Sequence, residues 1–316
     1  MMEWPVVYAV KHKVESVRAA SRSGGIFTAL SDYVLNRNGI VYGCALTDDF
    51  KAKHIRAASY EDRNRMRGSK YIQSELGETF KNVKSDLDNG LLVLFSGTSC
   101  QIAGLRCFLE KEYSNLICID IVCHGVPSAK VWEKYLQWQE EKNDSKVNAV
   151  DFRNKRDFGW SAHVETLTMA DGKTVNSEVW KNLFYGHMIL RPSCYRCPYK
   201  SIHHPGDITI ADYWGIEKAA PGFSDDKDVS LVLVNNDKGI DLFDKVKDNL
   251  IYKSTRIEDS LQPPLVAPFP RPDNRDQFWL DFSNKDFTYI AKKYGDYGTA
   301  NKVRHKLGSI KRRLHL

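Results

Sequence analysis

Four cysteines in this chain stand where thiolate chemistry can be built: Cys100, Cys123, Cys194 and Cys197. The last two form a Cys-x-x-Cys pair inside "PSCYRCPYK" (192–200), with a proline straight after the second. Such a pair supplies two ligands to a metal, two sulfurs to a redox dithiol, or half of a disulfide network. Cys100 follows a Gly-Thr turn at the expected start of a helix, where open amides and the helix dipole favour a thiolate. Cys123 closes an apolar strand just before His124 and Gly125. Four thiolates hold either a tetrahedral zinc ion or an iron–sulfur cluster, and Cys-Pro after the last ligand also occurs in bacterial ferredoxin runs. One rival is a zinc site from Cys194, Cys197, His203 and His204, although adjacent histidines in an extended segment point apart. Another is a thioredoxin-like dithiol, which here lacks a preceding strand. Spacing leaves all three open. Cys44, Cys107 and Cys118 lie in apolar strands or a helix and read as small buried hydrophobes.

The elements that must position these residues alternate. "GGIFTALSDYVLNRNG" (24–39), "SELGETFKNVKSDLDNG" (74–90) and "SAKVWEKYLQWQEEK" (128–142) carry helical periodicity with caps and stops. "LLVLFSGT" (91–98) and "LICIDIVCHGVP" (116–127) are buried strands, the first running into a helix capped by Ser or Thr at Thr98–Ser99. Alternation of this kind predicts an α/β fold: a mostly parallel or mixed sheet flanked by helices, with functional loops beyond strand C-termini. From about residue 147 the rhythm changes to antiparallel strands, with a hairpin turning at Asp171-Gly172. We expect an α/β domain over 1–260, with cysteine loops at 96–101, 123–127 and 192–200. Residues 261–316 then form a proline-rich connector and a C-terminal helical segment ending in a basic tail.

Two glycine turns point to anion binding. "SRSGG" places Ser21, Ser23, Gly24 and Gly25 just before a helix, whose free amides suit a phosphate. "RGSKY" sets Arg67, Lys70 and Tyr71 around Gly68-Ser69, a basic turn able to meet a phosphate or a cofactor ring. Each also reads as an ordinary capped helix start or a solvated loop. The chain has neither G-x-G-x-x-G nor a Walker A motif, so a standard dinucleotide or P-loop site is not expected. His124 and Lys70 are the candidate proton carriers.

The net charge of +6 disappears on inspection. Lys302, Arg304, Lys306, Lys311, Arg312 and Arg313 crowd the last sixteen residues, and the remaining 40 basic residues balance 40 acidic ones. Nucleic acid is therefore not an expected partner. Val303, Leu307, Ile310 and Leu314 make one apolar stripe in that tail, which suits either packing on the domain or membrane-surface contact through 301–316. No apolar run approaches the roughly 20 residues of a membrane span. Without a secretory leader, the chain is expected to be cytoplasmic, where clustered cysteines serve metals or redox chemistry.

Taken in order, "SRSGGIFTALSDYVL", "RGSKYIQSELGETFKNVK", "LLVLFSGTSCQIAGL", "IVCHGVPSAKVW", "SCYRCPYK" and "DITIADYWGIE" resemble the coenzyme F420 hydrogenase/dehydrogenase β-subunit family. The resemblance is close over roughly residues 15–220. It implies a flavin-dependent iron–sulfur oxidoreductase that binds FAD and a 4Fe-4S cluster. Cys100, Cys123, Cys194 and Cys197 would then be the cluster ligands; Ser21–Gly25, Arg67–Tyr71 and Thr98 would contribute to the flavin site. Many relatives carry a ferredoxin-like stretch ahead of the Ser-x-Ser-Gly-Gly segment. Its lack here implies either a separate ferredoxin-like or other redox protein as partner, or direct transfer from a single cluster. The acceptor would be a small molecule, F420 or another. The alternatives are a non-catalytic electron-relay subunit and a structural zinc protein with a partner-binding tail.

Overall fold

The computed structural model describes residues 4–225 and 227–298. Contacts group the chain into two compact units. The first takes residues through His124 together with Arg196–Pro268; the second takes Gly125–Tyr195 and the described residues from Phe269 onward.

Among the described residues, the strands of the first unit are β1 (Val6–His12), β2 (Ile40–Leu46), β3 (Ala52–Ala57), β4 (Ser74–Glu75), β5 (Val93–Thr98) and β6 (Leu116–Ile121). In the second unit β7 (Val147–Asp151), β8 (Glu165–Met169) and β9 (Thr174–Ser177) follow, and β10 (Ile208–Asp212), β11 (Ser230–Val234) and β12 (Leu250–Thr255) return to the first. The large sheet runs β12-β1-β11-β10-β6-β5-β2-β3-β4. Its centre, β10-β6-β5-β2, is parallel, while at one side β11 runs antiparallel to both β10 and β1. The α/β class with a mixed sheet, and the separate hairpin, are as the sequence rhythm predicts.

Side-chain alternation explains why both faces are covered. Val41, Leu94, Ile117 and Ile119 pack on one face with the helices Ile26–Leu35 and Asp237–Val246. Their neighbours Ile40, Tyr42, Val93, Phe95, Leu116 and Cys118 pack on the other, with Thr79–Asp88 and Ser99–Leu109. Strands apolar at every position are those that must bury both faces.

The second unit is built on the helix Ala129–Asn143 and the sheet β7-β8-β9. Trp132 stands 4.8 Å from Phe152 and 4.9 Å from Trp180 between ring centroids. Within this aromatic core Glu165 is 0% exposed. Its Oε1 accepts from the Tyr135 hydroxyl and the Trp180 amide, both at 2.9 Å. Burial raises its carboxyl to about 7, against the lowering effect of those bonds.

The expected apolar stripe of Val303, Leu307, Ile310 and Leu314, with its membrane-surface contact, lies outside the described residues. Among the described residues no helix is long and apolar enough to cross a membrane.

Candidate functional site

Strand direction gathers the site. β11 is antiparallel to both β1 and β10, so β1 points the same way as β10, β6, β5 and β2. All five deliver their C-terminal ends to one edge, the edge where α/β sheets place ligands. His12 ends β1 and the segment Ser21–Gly25 comes after it; Cys44 lies near the end of β2; Cys100 follows β5; Cys123 follows β6; Tyr213 and Trp214 follow β10. Thr98 and Ile121 are register partners. Cys100 and Cys123 therefore each stand two residues beyond aligned positions on neighbouring strands.

Cys100 is the second residue of the helix Ser99–Leu109, whose start is closed by a capping box between Thr98 and Gln101. The Thr98 hydroxyl lies 3.2 Å from the Cys100 sulfur. Lys200 is buried, and its ammonium donates to the His124 carbonyl at 2.5 Å, tying the turn after Cys197 to the loop after Cys123. Between them, the Tyr199 hydroxyl is pushed up, first by burial and then by the nearby Cys100, Cys107 and Cys197 thiols. Three chain segments remote in sequence thus meet within the first unit.

Cys194 belongs to the second unit, in the 3-10 turn Pro192–Arg196. The Val126 amide donates to its sulfur at 3.4 Å. Arg275 fastens this turn: Nε donates to the Tyr195 hydroxyl at 3.0 Å and Nη2 to the Leu190 carbonyl at 3.2 Å. Tyr195 in turn donates to the His187 carbonyl at 2.6 Å. Arg275→Met keeps the aliphatic stem and loses both donors. We expect it to lower stability by about 2 kcal/mol, the worth of hydrogen bonds to a charged group, read as a shift in the urea midpoint. Unchanged stability would show that the turn holds itself.

Among the described residues no disulfide is formed, and no three His, Cys, Asp or Glu side chains gather as they would around one metal ion. The histidines of the rival zinc set do point apart. His203 is exposed, whereas the His204 side chain turns inward, its Nδ1 2.9 Å from Asp120 Oδ2 and 3.1 Å from Ser99 Oγ. Cys118 is buried and its thiol is pushed up to about 12, chiefly by burial. Burial likewise raises the Cys44 thiol. Cys107 differs from its expected burial: it is exposed, because the helix turns Ser99, Ile102, Leu105 and Leu109 inward and leaves position 107 facing out.

The two glycine turns also approach each other. Gly25 has φ +94° and starts the helix Ile26–Leu35, which no side chain caps. A Cβ on Gly25 would lie 3.0 Å from that of His12, and His12 feels the charges of Asp32 and Arg67. Burial lowers the His12 pKa, and its Nδ1 accepts from the Val14 amide. Among the described residues, Arg67 Nε is buried with no hydrogen-bond partner, and burial beside Arg63 lowers its pKa. An uncapped helix start near an orphaned guanidinium N–H fits the phosphate of a dinucleotide cofactor. Gly68 and Ser69 are exposed, and Tyr71 is half-buried. The Lys70 ammonium donates to the Arg65 and Arg67 carbonyls, and burial brings its pKa down to about 8. The serine hydroxyls face inward: Ser21 donates to the Val17 carbonyl and Ser23 to that of Val229.

Gly24 has a packing duty of its own. A Cβ there would stand 2.2 Å from the Val10 carbonyl oxygen and 2.7 Å from the Ser230 amide. Gly24→Ala is expected to cost about 3 kcal/mol, the upper range for overpacking, in urea unfolding without added flavin. A loss confined to flavin binding would instead assign this glycine to the ligand.

His12, beside the Gly25 turn, and Gln101, which closes the start of the Cys100 helix, were not singled out in the sequence. The Thr-x-x-Gln spacing of a capping box is the signal for Gln101; His12 has none.

Comparison with solved structures finds a chain of the F420-reducing NiFe hydrogenase complex from Methanosarcina barkeri. The two are 18% identical, with TM-score 0.55, over 82% of this chain and 84% of that one. At that identity the likeness concerns the fold. A comparison with curated proteins returns no match. The family model for the C-terminal part of the "Coenzyme F420 hydrogenase/dehydrogenase, beta subunit" matches residues 91–260, more than half of the chain and the stretch that holds all four site cysteines. The chain therefore belongs to the coenzyme F420 hydrogenase/dehydrogenase beta subunit family.

Proposed function

We propose that this protein is a cytoplasmic oxidoreductase dependent on FAD and a 4Fe-4S cluster, moving electrons between a redox protein, such as a ferredoxin, and a small two-electron acceptor, F420 or another reducible molecule. The observation that carries the reading is the meeting of the Cys100, Cys123 and Cys197 segments around Tyr199 and Lys200 on the ligand-binding edge of the sheet. When bound, the flavin exchanges one-electron traffic through the cluster for two-electron chemistry with the acceptor.

In this reading Cys100, Cys123, Cys194 and Cys197 hold the cluster. The Thr98 hydroxyl and the Val126 amide lie against two of the sulfurs, where a donated hydrogen bond stabilises added negative charge. Lys200, with Arg196 exposed nearby in the chain, supplies positive charge. The helix start at Gly25 and the Arg67 guanidinium take the flavin phosphate. Lys70, with a value about 8, would exchange a proton at Nζ near neutral pH and is one candidate proton carrier, with His124 as the other.

Iron, sulfide and flavin analysis of anaerobically purified protein tests this, followed by hydride-transfer assays with F420 and other acceptors. Bound FAD and about four irons per chain are expected for one such cluster; a colourless protein holding one zinc overturns the reading. Because the solved neighbour is a chain of a hydrogenase complex, a relay subunit is the second reading. It would hold the cluster yet show no turnover alone.

A further inference from the structure

We propose that Gln101 and Ser74 form a strap that couples the flavin turn to the cluster ligand Cys100, so that binding of FAD tightens the hold on the cluster. The inference rests on the functional reading above and adds a role for residues that neither cofactor is expected to touch.

The connection lies within the first unit. Gln101 Oε1 accepts from the Thr98 amide at 2.9 Å and from the Thr98 hydroxyl at 3.2 Å. That same hydroxyl lies 3.2 Å from the Cys100 sulfur. Gln101 Nε2 then reaches away from the helix and donates to Ser74 Oγ at 2.9 Å. Ser74 follows Lys70 by four residues in the chain, and both side chains act on the Cys44 thiol, opposing the rise that burial gives it. Lys70 closes its own turn on the carbonyls of Arg65 and Arg67. The path therefore runs from Arg67 and Lys70 along the chain to Ser74, and from Ser74 through Gln101 and Thr98 to Cys100.

Two features mark Gln101 as more than a cap. A capping box needs only the backbone-facing oxygen, and a glutamate serves it equally; here the amide nitrogen is engaged as well. Gly97 also leaves the room for it, since a Cβ there would stand 2.9 Å from Gln101 Oε1. The amide is thus fixed in one orientation by a donor on one side and an acceptor on the other. A ligand that orders the Lys70 turn narrows the positions open to Ser74 and Gln101, and with them those of the Thr98 hydroxyl at the thiolate. By linkage, a cluster that fixes Cys100 favours the flavin to the same degree.

The test is iron release from full-length, cluster-loaded protein to an iron chelator, with and without FAD. In the wild type we expect FAD to slow release by roughly tenfold, a coupling of ordinary size. Gln101→Leu and Ser74→Ala should bring that ratio close to one while iron content and FAD stoichiometry before chelation stay at wild-type levels. Gln101→Glu should retain it, because the carboxylate keeps the bond to Thr98 and accepts from the Ser74 hydroxyl. If Gln101→Leu fails to hold a cluster at all, Ser74→Ala decides, since it leaves the helix cap untouched. Equal protection in wild type and Ser74→Ala overturns the inference, as does a wild type that holds both cofactors and shows no protection. A wild type that takes up no FAD or no iron overturns the functional reading, and this inference with it.

Discussion

Serine at position 100, 123, 194 or 197 is expected to leave the anaerobically purified protein pale, with most of its iron, sulfide and broad visible absorption gone. The argument is one of donor chemistry and position. A hydroxyl is a hard, weakly acidic donor where the cluster needs a thiolate. Each of the four positions is reached from a different local device: a helix start for Cys100, a strand end for Cys123, a 3-10 turn for Cys194, and the turn closed by Lys200 for Cys197. The controls sharpen the test. Cys118→Ser and Cys107→Ser should keep the cluster, the first because its thiol is buried and held protonated, the second because it faces out from the helix. Iron loss from Cys107→Ser equal to that from Cys100→Ser would show the ligand set to be wrong, since both thiols stand in the field of Tyr199.

The second large effect concerns pH. Glu165 is 0% exposed and keeps its proton to about pH 7, whereas an ordinary glutamate ionises near 4.5. The folded state therefore binds more protons than the unfolded state between those values. This contribution is fully present below the unfolded value, falls as pH rises toward about 7, and is gone above it. At about 1.4 kcal/mol per unit, the loss is on the order of 3 kcal/mol. Glu165→Gln keeps an acceptor for the Tyr135 hydroxyl and the Trp180 amide and has no proton to lose. Urea unfolding at pH 5 and at pH 8 should show the variant gaining on the wild type at the higher pH. An unchanged difference at the two pH values would mean that Glu165 is not ionising in that window.

Much of the fold around the candidate site was legible in the sequence. The buried strands expected at 91–98 and 116–127, which fold as Val93–Thr98 and Leu116–Ile121, the helix between them and the hairpin at Asp171-Gly172 follow from local periodicity, which is set by backbone geometry and needs no distant partner. The loops after β5 and β6 were singled out by the rule for strand ends. Other features were beyond such reading. "VVYAVKH" and "LIYKST" became β1 and β12 because β11 offered one edge to β1 and β1 offered the next to β12. Nothing in either run names its neighbour. Gly24 reads in sequence as a place of close approach; only the fold shows that what approaches is the Val10 carbonyl and the Ser230 amide.

What the chain's own sequence determined is therefore the inventory: the elements, the four thiols, the two glycine turns and the motif order that marks the family. What the tertiary structure decided is their mutual placement. The pairing of Thr98 with Ile121 aligns two cysteine loops. The reach of Lys200 to His124 closes a third onto them, and the bond from Gln101 to Ser74 joins the Cys100 helix start to β4. Each of these is a contact between residues more than twenty positions apart. Such contacts depend on strand order and register, which are chosen by how the whole sheet buries its two faces and not by any local pattern.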